Sequence, residues 1–154
     1  MGTELADFLS LTGVATVTLP LIGAIVSSKN TIDYIIVTLV LIGVVIGSKL
    51  LKQIIKDPRP KGAMNCNIRN GGGSAEGEYG MPSEHMAVSS FMIFSTLLIG
   101  TNSAILWGAG FIWLAAIGWA RYVKHCHSLA QVLGGIVYGG GAAAVLQFIL
   151  KNLL

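Results

Sequence analysis

Charged residues divide the chain into uncharged stretches long enough to cross a membrane. Asp7 and Lys29 bracket 21 uncharged residues, Phe8 to Ser28, and at about 1.5 Å rise per residue such a helix spans a hydrocarbon layer of about 30 Å. Pro20 within it marks a kink rather than a break, as proline does in membrane helices. Tyr34 to Ser48 holds only 15 uncharged residues. Lys49 can snorkel, however, from a helix that continues to Ile55 and stops at Asp57-Pro58, because a residue before proline is steered away from helical torsions. No charge appears in the 35 residues from Met86 to Ala120. That is too long for one span, so Gly100-Thr101-Asn102-Ser103 is the turn between a helix from Ser83 to Ile99 and another from Ala104 to Arg121. A last span covers Leu129 to Leu150. The pattern predicts an all-α, polytopic membrane helix bundle of about five transmembrane helices, forming a single domain over residues 1–154.

Five spans put the N-terminus, the loop 57–82 and the segment 122–127 on one face of the membrane. Gly43-x-x-x-Gly47 and the pairs and triplets Gly134-Gly135 and Gly139-Gly140-Gly141 are costly in a water-soluble helix but permit close helix contact in a bilayer. Asn70 to Gly80, with five glycines in eleven residues, cannot hold regular structure cheaply and reads as a flexible loop over the same face, either a slack connector or a lid.

Composition agrees with a bilayer as solvent. Of 154 residues 53% are hydrophobic and 11% charged, against about 25% charged in soluble domains, and the mean hydropathy is +0.72. The net charge of +3 does not indicate nucleic acid, because the basic residues crowd around short loops instead of forming a solvated stripe. The N-terminus lacks the basic region and cleavage site of a secretory leader, so its first apolar run is expected to remain as a helix. Cys66 and Cys126 have neither a disulfide-framework count nor zinc spacing. They are expected as unpaired thiols, although loops on one side of the membrane would allow a bridge.

The candidate chemistry gathers on the loop-bearing face. Lys49, Lys52 and Lys56 share a helix face, and Lys52 stands seven residues before Arg59, whose direction Pro58 and Pro60 restrict. A guanidinium presents a planar fork of donors to phosphoryl oxygens. Pro82-Ser83-Glu84-His85 opens an uncharged run with a good N-cap serine, and a helix N-terminus attracts anions. Glu84 is expected to point away from such an anion. Arg121 stands six residues before His127, and Gln131, four residues further on, shares a helix face with that histidine. Its amide oxygen could accept one imidazole proton, set the tautomer and leave the other nitrogen free to attack. His125 points elsewhere.

The ordered set Lys52-x6-Arg59-Pro60, Pro82-Ser83-x-His85 and Arg121-x5-His127 resembles the three motifs of the type 2 phosphatidic acid phosphatase superfamily. Tyr79-Gly80-Met81-Pro82-Ser83 and Gln131-Val132-Leu133-Gly134-Gly135 are most similar to the dolichyldiphosphatase branch, whereas most of the superfamily has aspartate at the position of Gln131. The resemblance implies that His127 attacks the terminal phosphorus and forms a phosphohistidine, while His85 protonates the leaving oxygen. Lys52, Arg59, Ser83 and Arg121, with helix-start amides, would hold the phosphoryl oxygens, and no metal or other cofactor would be needed. Glu84 departs from the small residue usual there, Ala120 from the usual serine, and five spans from the usual six. The expected function is hydrolysis of a polyprenyl diphosphate to the monophosphate within the lipid bilayer. Phosphatidate or another lipid phosphate is the alternative substrate, and non-catalytic lipid binding or transport the alternative function. The resemblance implies an endoplasmic reticulum membrane with a lumenal site for a eukaryotic-type enzyme, or otherwise the plasma membrane. The spare lysines and arginines on the motif side point that side toward the cytoplasm instead.

Overall fold

A computed structural model describes residues 4–9, 31–66, 73–100 and 103–153. Among the described residues four long helices carry the fold: α1 (Thr31–Ile55), α2 (Glu84–Gly100), α3 (Ala104–Val123) and α4 (Leu129–Leu153). Residues 4–9 are also helical. The expected first span, Phe8 to Ser28 with Pro20, lies outside the described residues beyond its first two positions. The ranges 35–55, 104–123 and 129–152 are long and apolar enough to cross a membrane, so the protein is a polytopic helical membrane protein. Their outward surfaces are correspondingly greasy, with Ile54, Ile105, Ile112, Val137 and Phe148 each more than half exposed.

The shorter α2, 17 residues or about 25 Å, is the central helix. Its Ala87, Val88, Phe91 and Met92 pack with Val37, Leu41 and Val44 of α1 and with Ala143 and Leu146 of α4. On another side Met86 meets Leu114 and Ile117 of α3 and Val132 of α4. Gly135 and Gly139, four apart on one face of α4, let its backbone press against α2. A Cβ at Gly135 would stand 2.5 Å from the Ser83 carbonyl oxygen, and one at Gly139 would collide with the Ala87 carbonyl and the Ser90 hydroxyl. Gly47 similarly receives the Tyr138 hydroxyl, whereas Gly43 and Gly141 face open space. Close packing therefore accounts for some of the glycines, not all.

The long connection between α1 and α2 is not slack where it is described. Arg59 N–H donates to the Glu78 carbonyl at 2.8 Å, Gly80 N–H to Asp57 at 2.8 Å, Ala75 N–H to Ala63 at 2.8 Å and Asn65 N–H to Gly73 at 3.1 Å. The two arms are thus zipped to each other without forming regular strands, which corrects the expected free loop over Asn70 to Gly80 for its described part, residues 73–80. Asp7 pairs with Lys124 at the end of α3, placing residues 4–9 on the same face as this connection, as the span count requires.

Candidate active site

The turn from α3 into α4 delivers the last motif. α3 ends at Val123, and His125 takes a left-handed backbone, φ 54°, a conformation in which histidine is enriched among non-glycine residues. The amides of Cys126 and His127 then both reach back to the Arg121 carbonyl, at 3.1 and 3.3 Å. This reversal turns His125 outward to solvent and buries Cys126 and His127. Helix α4 starts with a reciprocal cap: the Gln131 amide N–H donates to the Ser128 hydroxyl, and Ser128 N–H donates to Gln131 Oε1, both at 3.2 Å. Ser128-x-x-Gln131 is a capping box, a signature visible in the sequence that the motif reading passed over.

Gln131 is held from the other side as well. Its Nε2 donates to Asp57 Oδ2 at 2.7 Å and to the Pro58 carbonyl at 3.0 Å. Both of those partners only accept, so the amide orientation is decided by its neighbours. Oε1 must therefore be the atom 3.2 Å from His127 Nδ1, and Nδ1 carries the proton. The lone pair is left on Nε2, where Arg59 Nη1 lies 3.3 Å away while also donating to the Cys126 carbonyl at 2.9 Å. Burial first, then the positive charges of Arg59, Arg121 and Lys52, hold the His127 pKa well below its ordinary value, against a smaller upward effect of the Gln131 hydrogen bond. The ring is neutral at neutral pH.

The sequence-predicted cations gather near both histidines, with Arg59 the one within reach of this nitrogen. Lys52, Arg59 and Arg121 are close enough to act on one another electrostatically and on both His85 and His127. Arg121 is fully buried and donates from Nη2 to the Cys66 carbonyl at 2.6 Å. Ser83 starts α2 through its carbonyl, which accepts from Ala87 N–H at 2.9 Å, and its own N–H donates to the Gln131 carbonyl at 3.0 Å. Its hydroxyl is buried and makes no hydrogen bond among the described residues, so the expected side-chain cap is not made. Among the described residues, no group of three His, Cys, Asp or Glu gathers at metal-binding spacing.

Several expectations are corrected. Glu84 does not turn away: its Oε2 lies 3.7 Å from Lys52 Nζ, because the first turn of α2 faces the last turn of α1. Lys56 does not share a helix face with Lys49 and Lys52, since α1 has ended and Lys56 has φ 53°. Cys66 and Cys126 are not free thiols. They form a disulfide with Cα atoms 5.3 Å apart, buried with Ala63 and Ala75, and the zipped loop is what brings them within bonding geometry. The bridge clamps the two carbonyls that receive Arg121 and Arg59. Asp57 behind Gln131, and Glu78 with its Oε2 3.8 Å from Arg59 Nε, were not singled out by sequence reasoning, since nothing in their spacing announces the contact.

Residues 33–153 match the PAP2 superfamily, the type 2 phosphatidic acid phosphatases whose motif order the sequence carries. No curated protein and no solved structure matches the chain.

Proposed function

Since the chain belongs to the PAP2 superfamily, whose members are phosphatases and suggest a lipid phosphate as substrate, we propose that it hydrolyses a polyprenyl diphosphate, of dolichyl type, to the monophosphate. The observation that carries this reading is the Nε2 lone pair of His127, fixed by Gln131 and surrounded by Lys52, Arg59 and Arg121. A buried imidazole nitrogen amid three cations is arranged to meet phosphorus under anionic oxygens. His127 Nε2 forms the N–P bond as the bridging P–O bond breaks. The electron pair leaves on the monophosphate oxygen, which takes a proton from His85, a ring protonated in the complex because the diphosphate's negative charge offsets the cations around it. Water then attacks phosphorus, gives a proton to His85, and the N–P electron pair returns to Nε2 as inorganic phosphate departs. Arg59, Arg121 and Lys52 hold the non-bridging oxygens, with the Ser83 hydroxyl and the N-terminal amides of α2 as further donors.

A diphosphate fits this site better than a monoester. The group touching Nδ1 is a neutral amide, which orients the ring but gives less direct help with developing positive charge than a carboxylate would. A departing alkoxide, with a conjugate acid near the ~15.7 of water, needs that help more than a departing phosphate monoester, with a second pKa of about 6. The test is phosphate release in detergent with excess EDTA, comparing a short-chain prenyl diphosphate, the matching monophosphate and phosphatidate. The diphosphate should be cleaved with the highest kcat/KM, and equal or better use of either monoester overturns the substrate assignment.

The site face is proposed to lie outside the cytoplasm. A buried disulfide beside the nucleophile suits an oxidising compartment, and this weighs against the excess of lysine and arginine on the same side. Alkylation of thiols on rapid acid quench of cells should leave Cys66 and Cys126 unlabelled unless the protein is first reduced. Labelling without reduction would return the face to the cytoplasm.

A further inference from the structure

Asp57 stands two residues past the end of α1 and opens the strap Pro58-Arg59-Pro60. In the sequence it serves only as a helix stop. In the fold its Oδ2 accepts from Gln131 Nε2 at 2.7 Å, the shorter of the two bonds that tie this amide to the strap, and Gln131 Oε1 in turn faces His127 Nδ1 at 3.2 Å. Two residues along the strap, Arg59 Nη1 stands 3.3 Å from the other ring nitrogen. Three residues of chain therefore address both nitrogens of one imidazole, with an anion behind the ring and a cation in front.

We propose that Asp57 is a positioning residue of the reaction, acting on His127 through Gln131 as a carboxylate–amide–imidazole relay. The proposal rests on the reading of His127 as nucleophile. Attack on phosphorus converts a neutral ring into a cation, and the Nδ1–H bond to Gln131 Oε1 becomes charge-assisted at that moment. A carboxylate on Nε2 polarises the amide toward Oε1 and so strengthens the bond where the charge develops. No proton moves along the relay: Nδ1 keeps its proton throughout, and the amide has none to accept or release at neutral pH. The relay also restores, one residue further out, the negative charge that a direct aspartate would bring, and the intervening amide attenuates it. Gly80 makes room for the arrangement, since a Cβ there would fall on the Gln131 amide.

A purely structural tie between the loop and α4 would give the same contacts, so the test separates charge from shape. Asp57→Asn keeps an acceptor of the same size for Gln131 Nε2 and removes the charge. On a short-chain prenyl diphosphate its kcat should fall roughly tenfold, with KM and thermal stability close to those of the parent. The double variant Asp57→Asn/Gln131→Glu moves the charge one link inward, where the introduced carboxylate accepts both from His127 Nδ1 and from the introduced amide, while the bond to the Pro58 carbonyl is lost and thermal stability falls. Its kcat should return to the parental level or above. An unchanged kcat in Asp57→Asn, or an equal loss in the double variant, overturns the relay. A second readout needs no turnover: nitrogen-15 histidine NMR, with His127→Ala for assignment, should show the Nδ1–H tautomer in the parent and a mixed tautomer in Asp57→Ala. An Nε2–H tautomer in the parent overturns the relay whatever the activity, whereas absence of phosphate release with the Nδ1–H tautomer intact defeats only the functional reading.

Discussion

Replacing Gly80 by alanine should disable the enzyme without touching a reacting group. A Cβ built on Gly80 lies 2.7 Å from Gln131 Cδ and 2.8 Å from Nε2, and closer still to Oε1. Non-bonded heavy atoms settle at about 3.5–4.0 Å, so the amide must retreat by nearly ~1 Å. The neighbouring backbone leaves little alternative, because Gly80 N–H is bonded to Asp57 and Ser83 N–H to Gln131. A shift of that size breaks hydrogen bonds of 2.7 and 3.0 Å to Asp57 and Pro58 and frees the His127 ring to rotate. Overpacking of this kind costs about 1–3 kcal/mol in stability, and misplacing a reacting group by about 1 Å costs about 10²-fold in rate. The expected result in detergent is therefore a folded protein with kcat lowered roughly 10²-fold and KM changed much less, since the three atoms nearest a Cβ at Gly80 all belong to Gln131 and none to Lys52, Arg59 or Arg121. Gly141→Ala is the control, because nothing lies within 4 Å of a Cβ there, and it should leave kcat unchanged. Parental kcat in Gly80→Ala, with the fold verified by thermal denaturation, would refute the claim that Gln131 orientation limits the chemistry.

Three further outcomes are expected. His127→Ala should abolish turnover, while His85→Ala should lose about 10²–10⁴-fold, as for removal of a general acid, and less on substrates with better leaving groups; full activity in His127→Ala would end the phosphohistidine mechanism. Because burial and the three neighbouring cations depress the His127 pKa well below its usual value, the reactive neutral ring persists as the pH falls through 6.5. The acidic limb of kcat/KM attributable to this residue should accordingly lie well below pH 6.5, and a limb that shifts upward in Arg59→Gln would show the cation at work. Cys66→Ala/Cys126→Ala opens a bridge between positions 60 residues apart, a closure worth about 4 kcal/mol on the chain-entropy estimate. Thermal unfolding should register most of that loss, and because the Cys66 and Cys126 carbonyls receive Arg121 and Arg59, KM should rise.

The sequence by itself determined the solvent, the extent of the described helices, and which residues are candidates for the site. Those features follow from local rules: long uncharged stretches must be helical in lipid because no water is present to satisfy the backbone, and prolines, Gly100 and Ser128 stop and start helices through torsions and caps. Lys52, Arg59, His85, Arg121, His127 and Gln131 were legible because motif spacing and one helical turn are local too. The tertiary structure alone decided what lies beside them. The two described arms of the connection, residues 56–66 and 73–82, have no hydrophobic periodicity, so nothing local shows that they bring Cys66 to Cys126, Asp57 to Gln131 and Glu78 to Arg59. Glu84 was misjudged for a related reason. Its helix position was clear, but its direction depended on how closely the last turn of α1 approaches the first turn of α2. That approach is set by glycine-mediated packing of α4 on α2 and by the buried apolar face α2 shares with α1, a fit between distant surfaces that spacing along one chain does not encode.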